Sequence, residues 1–472
     1  MKRHRFETLI TRLAPLVDHA PPVYLVGGQV RDSLLDRPPG DMDLVSEQAE
    51  ELAGRLAGVW SVPLVVFEKF GRQPCYRVVF GPAFEQILDF TSFQGPNLEA
   101  DLSRRDFTLN AMAMEIGTNG PGRIVDPFKG REDLKRGLLR MTSDQVFASD
   151  PVRMLRGFRF CAQLGFHLET QTLASIGAQA ELLQASAPER ISSELLKLFA
   201  PSPVVPVLNQ MDQTGGLEVL LPEIVPMKDC GQNDFHDMDV WEHSLEALKR
   251  LEDILDRVQE LFPRNRERIL SILESDQHRA LLKMGTLLHD LGKPGTRDIH
   301  ARTGRITFYG HDQYGAEQIK ALARRLRLSV RDRELLQTLV AEHIHVYALS
   351  RPQVKHSTRM RFFRKHKDRA LLCILLGLAD MEARRGPASS PEERTRFRQW
   401  AEQAIAQCSD CVDSPRKTTP LISGSDLLAM GLQPGPRIGR ILEKIQEDRD
   451  DGVLQTRDEA LAAAETMIRD QG

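Results

Sequence analysis

Cysteine is scarce in this chain, six in 472 residues, and the six lie scattered, most of them in apolar surroundings. That scarcity excludes a disulfide framework, and reduced thiols of a cytosolic protein are the simple reading. Cys408 and Cys411 form a lone C-x-x-C without the second pair that a thiolate zinc site needs. Long apolar runs are also missing: none approaches the ~20 residues that span a bilayer. The opening "MKRHRFETLITRLAPLVDHAPP" is charged and amphipathic and lacks the apolar centre of a secretory signal. Both absences lead to the expectation of a cytoplasmic protein with no membrane partner. Net charge of one sign is lacking too, at −3 overall. No global positive field advertises a nucleic-acid partner, so local patches would have to hold one.

What is present is ordinary globular material. Hydrophobic residues make up 41% and charged residues 27%, over a length that suits two to four domains. The first ~115 residues mix short β-rich runs with helical spacing. "PPVYLVGG", "DMDLV", "CYRVVF", "FEQILDFTSF" and "LNAMAMEI" read as strands, and "EQAEELAGRLAG" reads as a helix. From about Asp144 onward the pattern is helical almost throughout. The fold class expected is α+β, a small mixed-sheet head followed by a long all-helical body. The segments expected are 1–140 for the head, 141–235 for a helical neck, 236–386 for a His- and Asp-rich helical module, and 387–472 for a helical tail.

Chemistry concentrates first in "LVGGQVRDSLLDRPPGDMDLV". A strand ending at Val26 runs into Gly27 and Gly28, a turn where the backbone can approach a phosphate, and then into a helix carrying Arg31. In "DMDLV" residues two apart share a face, so Asp41 and Asp43 should project together. Two adjacent carboxylates repel, and a hard divalent cation such as Mg²⁺ relieves them. Metals held this way activate a hydroxyl and stabilise a pyrophosphate leaving group. Asp89 in "ILDFTSF" offers a third carboxylate. Further on, "DPVRMLRGFR" reads as a helix with Asp150 at its N-cap, Pro151 at its first position and Arg153, Arg156 and Arg159 on a basic ridge. A carboxylate beside a guanidinium offers an acceptor and a fork of donors, enough to pair with the edge of C or A without a template.

Four ordered stretches, "GGQVRDSLLDRPPGDMDLV", "DLSRRDFTLNAMAM", "DPFKGREDLKRGLLR" and "SDPVRMLRGFRFCAQLGF", resemble the successive motifs of bacterial class II tRNA nucleotidyltransferases and the related bacterial poly(A) polymerases. The resemblance covers roughly Tyr24 to Phe199. It implies that Asp41 and Asp43 bind the catalytic metals, while Gly28 and Arg31 hold the nucleotide phosphates. Arg104 and Arg105 would lie near triphosphate and ribose, with Asp106 and Asn110 ordering that segment. Asp150 and Arg153 would recognise the base, and Arg156 and Arg159 would assist the phosphates or the helix. One departure stands out: the family usually has Glu before that Asp, and here Ser149 stands there.

The second module carries "WEHSLEAL", "LLHDLGKP", "FYGHDQYGAE", "LVAEHI" and "LADMEARRG". Burying His289 and Asp290 side by side on an apolar helix costs free energy unless they are paired or metal-bound. His243 and Asp380 complete four ligands for a divalent cation, and His311 and His343 offer a second position. The region resembles an HD-superfamily metal phosphohydrolase domain, which implies phosphatase or cyclic-phosphodiesterase activity, or service only as an RNA-binding body. Lys293 would then steady a phosphate. The densest basic stretch, Arg351 to Arg369 with Phe362 and Phe363 inside it, is either an RNA contact or a basic helix covering its own domain. "GLQPGPRIG" in the tail resembles the family's C-terminal segment and is expected to help contact tRNA.

The expectation is therefore a tRNA nucleotidyltransferase using Mg²⁺ in the head, a divalent metal at the HD site, CTP and ATP as substrates and the tRNA 3′ end as acceptor. Only "TSFQGPNLEADLS" separates Asp89 and Phe90 from Arg104, short for the flexible segment that full CCA addition is associated with in the family, and this leans the reading toward CC addition. The rivals are a poly(A) polymerase and, in a different class, a non-catalytic RNA-binding or nucleotide-sensing protein.

Overall fold

The structure is a computed structural model. It describes residue 13 and residues 21–469 apart from 39, 68–72, 80–86, 118–119, 234, 236 and 414–419. The amphipathic reading of the N-terminal segment falls almost wholly outside the described residues, as do the end of "CYRVVF" and the start of "FEQILDFTSF". The chain divides into two compact units, Met1–Glu194 with Val207–Leu220, and Leu195–Pro206 with Leu221–Gly472. This division is coarser than the four segments expected from sequence.

The first unit is built on a seven-stranded mixed sheet. In chain order its elements are β1 (Tyr24–Val26), α1 (Gly28–Leu34), β2 (Met42–Val45), α2 (Ala49–Trp60), β3 (Leu64–Phe67), β4 (Cys75–Val79), β5 (Ile87–Thr91), α3 (Leu98–Ser103), β6 (Ala113–Gly117) and β7 (Gly120–Val125). The strand order is β3-β4-β5-β2-β1-β6-β7. β2 and β5 run parallel and every other neighbouring pair is antiparallel. Leu25, Met42, Leu44, Val78, Leu88 and Phe90 join Leu52 and Leu56 of α2 in one core. Val26, Val45, Ala113 and Leu102 of α3 form a second, smaller cluster. Strand alternation thus gives the sheet two used faces. β3 and β7 were not expected as strands. "LVVF" is a short apolar run without alternation, and "GPGRIV" carries the glycines and proline that argue against a strand until a partner is present.

Two helices complete the part of this unit that bears on function. α4 (Val152–Leu164) follows the arginine motif, and α5 (Pro188–Phe199) contributes its first half as far as Glu194. The expected cap is displaced by one residue: Pro151 is the N-cap of α4, which has no side-chain cap hydrogen bond, and Asp150 lies before it in extended backbone. Its carboxylate is engaged elsewhere, as described below.

The second unit is helical. Its main elements are α6 (Val240–Asp256), α7 (Asp276–Leu287), α8 (His311–Arg325), α9 (Val330–Leu349), α10 (His356–His366), α11 (Asp368–Ala383), α12 (Pro391–Asp413), α13 (Gly424–Ala429), α14 (Pro436–Asp450) and α15 (Arg457–Arg469). α6 starts in a capping box between Asp239 and Glu242, which satisfies two helix-end donors at once. α7, α9 and α11 bury long apolar stretches, and α11 is buried on nearly every side. The one small departure is a two-stranded ribbon, Asp298–Ile299 against Ile306–Thr307. None of the described helices is long and apolar enough to cross a membrane.

A nucleotidyltransferase cleft and a histidine-aspartate cluster

In the first unit, strand register builds one row across the sheet: Val26 pairs with Asp43, Asp43 with Asp89, and Asp89 with Arg77. Asp41 precedes β2, whose pairing with β1 ends at Asp43, so it sits in the approach to the strand. Asp43 has a raised pKa: burial pushes it up first, Asp89 and Asp41 push the same way, and Arg105 opposes them. Such a carboxylate is short of positive charge, and a divalent cation would supply it. Gly27 is the second observation pointing there. It sits at φ 73, and a Cβ would meet Arg105 Nη1 at 3.0 Å and Asp43 Oδ2 at 3.7 Å. Its bare backbone leaves the space between those groups open. Asp89 is differently placed from the expectation. Arg77 donates to both of its carboxylate oxygens at 2.7 Å, so the three head carboxylates form no three-ligand cluster among the described residues.

The cavity over this row measures about 480 Å³ and is lined by Gly27, Gly28, Arg31, Asp43, Arg105, Asp106, Asn110, Asp150, Arg153, Arg156, Arg159, Phe160 and Arg190. Five arginines besides Arg190 therefore face one pocket. A hydrogen-bonded chain holds them: Arg31 donates to Asn110 Oδ1 at 2.8 Å, and Asn110 Nδ2 donates to Asp106 at 2.9 Å. Arg156 donates to Asp106 from Nε at 2.8 Å. Burial pushes the Asp106 carboxyl up, but Arg156 and the hydrogen bonds from Asn110 and Phe107 outweigh it and leave the pKa lowered. Arg105 pairs with Asp101 at 3.0 Å, and Arg159 donates to Glu194 at 2.5 Å. The Phe160 ring lies under three guanidiniums, at 4.1 Å from Arg159, 5.0 Å from Arg31 and 5.5 Å from Arg156.

Sequence reasoning singled out the lining residues except Phe160 and Arg190, and missed the partner carboxylates Asp101 and Glu194. Arg190 and Glu194 stand four apart in "PERISSEL", a spacing that puts them on one helix face, and that signal was available. Arg104 does not join the cavity. It is exposed at the C-cap of α3, while its neighbour Arg105 turns toward Asp101.

In the second unit, α6, α8, α9 and α11 and the turn after α7, where His289 and Asp290 lie instead of on a helix, bring six expected residues together in two groups. His243, His289 and Asp380 form one, and Asp290, His311 and His343 form the other; within each, the ligand atoms lie within 4.8 Å of one another. His243 Nε2 is 3.0 Å from Asp380 Oδ1, and His289 Nε2 is 3.1 Å from Asp290 Oδ2. Asp290 Oδ1 lies 3.4 Å from His311 and 3.6 Å from His343, so this carboxylate bridges the groups. The tautomers follow from the backbone. Nδ1 of His289, His311 and His343 meets the carbonyls of Thr286, Phe308 and Val340 at 2.8, 2.7 and 2.6 Å. A carbonyl only accepts, so each Nδ1 carries the hydrogen and each Nε2 turns its lone pair inward. His311 Nε2 and His343 Nε2 face each other at 3.2 Å, and with both rings neutral and protonated at Nδ1 a cation would relieve the two opposed lone pairs. The donor set fits a divalent metal.

Electrostatics keep the carboxylates charged and treat the histidines unequally. Burial raises Asp290 and Asp380, but His289 and Lys293 around the first, and Arg384 and His243 around the second, hold both well below the usual carboxylate range. Burial lowers His243 and His343 toward the neutral form that binds metal, whereas in His289 Asp290 outweighs burial and raises the pKa. Lys293 Nζ lies 2.6 Å from Asp290 Oδ2 and donates to Gln232 at 2.6 Å. With His311 and Arg384 it lines a cavity of about 540 Å³ beside the cluster.

Part of the basic stretch packs on its own unit. Phe362 and Phe363 are buried, Arg361 pairs with Glu447 at 2.9 Å, Arg364 with Asp450 at 2.6 Å, and Lys365 and His366 with Glu342 at 3.3 and 3.2 Å. Cys408 and Cys411 are buried on α12, not joined in a disulfide, and in no metal-competent group among the described residues.

Sheet, cleft and cluster together define a nucleotidyltransferase head on a chain that also carries an HD-type domain. Models of the poly A polymerase head domain, of a probable RNA-binding site of polymerase A, and of the HD domain match residues 23–140, 165–227 and 240–384. The A-adding tRNA nucleotidyltransferase of Deinococcus radiodurans is 35% identical over 96% of this chain and 97% of its own length. The CC-adding tRNA nucleotidyltransferase of Thermus thermophilus is 33% identical over 93% and 92%. The multifunctional CCA protein of Xanthomonas axonopodis pv. citri is 30% identical over 89% and 96%. This chain belongs to the bacterial tRNA nucleotidyltransferase family. Its fold matches the Thermotoga maritima CCA-adding enzyme complexed with tRNA at a TM-score of 0.64 and 21% identity, over 98% of this chain and 95% of that one. A CCA-adding enzyme with CTP matches at 0.66 and 22%, with the same coverage.

Proposed function

We propose that this tRNA nucleotidyltransferase is a cytoplasmic CC-adding enzyme, which transfers CMP from CTP to the tRNA 3′ end without a template. The observation that carries the reading is the single cavity in which Asp43 and Arg105 meet Asp150 and Arg153. In the reaction the tRNA 3′ hydroxyl gives up its proton to solvent, its oxygen attacks the α-phosphorus, the bond from the α-phosphorus to the bridging β-phosphate oxygen breaks, and pyrophosphate leaves. Asp41 and Asp43 would hold Mg²⁺, whose positive charge would favour the alkoxide form of the hydroxyl and offset the charge on the leaving group. Arg31, Arg105 and Arg156 orient the phosphates. Asp150 accepts from the exocyclic amine of the base, and Arg153 donates to the ring nitrogen and, in cytosine, to the carbonyl oxygen.

Two features support addition of one kind of base. The connection from β5 to Arg105 is short and tied down: Asp101 accepts from the Gln94 amide at 2.9 Å and pairs with Arg105, and Asn97 caps α3 through Ala100 at 2.9 Å. Ser149, in the place of the family's usual Glu, donates to Val146 O in its own turn. Neither arrangement provides the swing or the second carboxylate that a change of base would use. We assign the His243, His289, Asp290, His311, His343 and Asp380 cluster to a divalent metal serving phosphoester hydrolysis, with Lys293 and Arg384 at the substrate cavity.

The test supplies the purified protein with tRNA transcripts ending at the discriminator base, in C, or in CC, together with CTP, ATP or both. Addition of two cytidines and a stop is expected. Addition of a single A to the CC end alone would make it an A-adding enzyme, as in the Deinococcus relative. Complete CCA would remove the short-connection argument, and long A tracts would mark a poly(A) polymerase.

A further inference from the structure

We infer that Arg190 is a positioning residue that sets the base preference of the head by holding Asp150 in one orientation; this rests on the reading of the arginine-lined cavity as the nucleotide site. Asp150 is 9% exposed and stands at the entrance to α4. Arg190 Nη2 donates to its Oδ2 at 2.8 Å, while Arg153 Nε lies 3.7 Å from the same oxygen. The close partner of the carboxylate expected to read the base is thus a residue from another helix. The mate that the motif itself supplies is the more distant one.

The support is a ladder along α5. Arg190 and Glu194, four residues apart, face the arginine helix together. Glu194 Oε2 takes Arg159 Nε at 2.5 Å and Glu194 Oε1 lies 3.9 Å from Arg156 Nη1, while Arg190 takes Asp150. α5 therefore fixes both ends of the polar edge, the anionic head at Asp150 and the cationic ridge behind it. Ser149 cannot take Arg190's place, because its hydroxyl is turned back to Val146 O and carries no charge. A carboxylate bound through one oxygen by a planar guanidinium presents its remaining acceptor sites in a defined direction. Without Arg190, Arg153 is still a cation 3.7 Å from the carboxylate. Asp150 would swing to it, and carboxylate and guanidinium would satisfy each other instead of the base.

The experiment measures kcat and KM for CTP and ATP separately, on tRNAs lacking three, two or one terminal nucleotides, for the wild-type chain, Arg190→Met and Arg190→Lys. Loss of a charged hydrogen bond corresponds to a ~10- to 100-fold collapse of the ratio of kcat/KM between preferred and rejected nucleotide. The collapse should fall mainly on KM of the preferred nucleotide, and lysine should restore part of it. In an Asp150→Asn background, Arg190→Met should change the ratio no further, because the two act as one unit. A ratio within threefold of wild type in folded Arg190→Met would overturn the inference. So would an equal fall of kcat for both nucleotides. Should the methionine variant fail to fold, Arg190→Lys decides alone: an unchanged ratio refutes the role and a partial collapse supports it. The wild-type rows report which base is preferred. A wild type that takes ATP sinks the CC-adding reading and leaves the Arg190 comparison intact.

Discussion

Asp43 and Asp106 sit in one cavity and are handled in opposite ways. Asp43 is pushed up by burial and by its acidic neighbours, while Asp106 is drawn down by Arg156 and by hydrogen bonds. The first is the signature of a site that wants a cation, the second of a structural anchor. Changing Asp43 or Asp41 to Ala should therefore lower nucleotide addition by at least ~10³, with tRNA binding retained. Activity of Asp41→Ala within tenfold of wild type would remove the assignment. For Asp106 the folded carboxyl ionises below the ordinary value of ~3.9. Its stabilisation is fully present above that value and is lost as pH falls through the folded pKa. Asp106→Asn should cost about 2 kcal/mol at neutral pH, a figure reduced because Arg156 is one-third exposed. Urea denaturation from pH 7 down to pH 3 should show that difference shrinking at the acid end, and a pH-independent difference would contradict it.

Elements decide which of several charged residues becomes functional. α4 and α5 gather arginines round one aromatic ring and one glutamate, whereas α10, just as basic, spends its cations on Glu342, Glu447 and Asp450 and buries both phenylalanines. The turn after α7 is equally constrained. A Cβ on Gly292 would lie 2.1 Å from His311 O and 2.6 Å from Gly315 N, backbone atoms of the helix that carries the metal-cluster histidine. Backbone cannot step aside as a side chain does. Gly292→Ala should cost about 3 kcal/mol or more and loosen the cluster. Thermal unfolding and metal content per chain would check this, and wild-type values for both would refute it.

At the scale of the whole molecule, the two clusters of chemistry belong to different compact units. Each has its own carboxylates and its own cations, and among the described residues none belongs to both. The double change His289→Ala, Asp290→Ala should abolish divalent-dependent hydrolysis of a cyclic phosphodiester and leave nucleotide addition near wild type. Loss of both activities in a folded variant would show the sites to be coupled.

The sequence alone determined the class of fold, the order of its parts and most of the chemical residues. Motif spacing, strand alternation and helix periodicity are local properties, and local properties survive in a string of letters. Asp41, Asp43, Asp150, Arg153 and the six residues of the histidine-aspartate cluster could be singled out for that reason, and Arg105 through the resemblance of its motif. Tertiary structure decided what each charge faces. It gave Asp89 to Arg77 across β4, turned Arg104 outward, moved Asp150 from a cap to a partner of Arg190, and neutralised the basic helix against acids some eighty residues away. It also supplied two strands whose sequences hide them. The reason is physical: a charge costs little in solvent and much when unpaired inside, so its role is set by the partner that packing brings within ~3 Å, and for Arg156, Arg190 and Arg361 that partner is dozens of residues away in the chain.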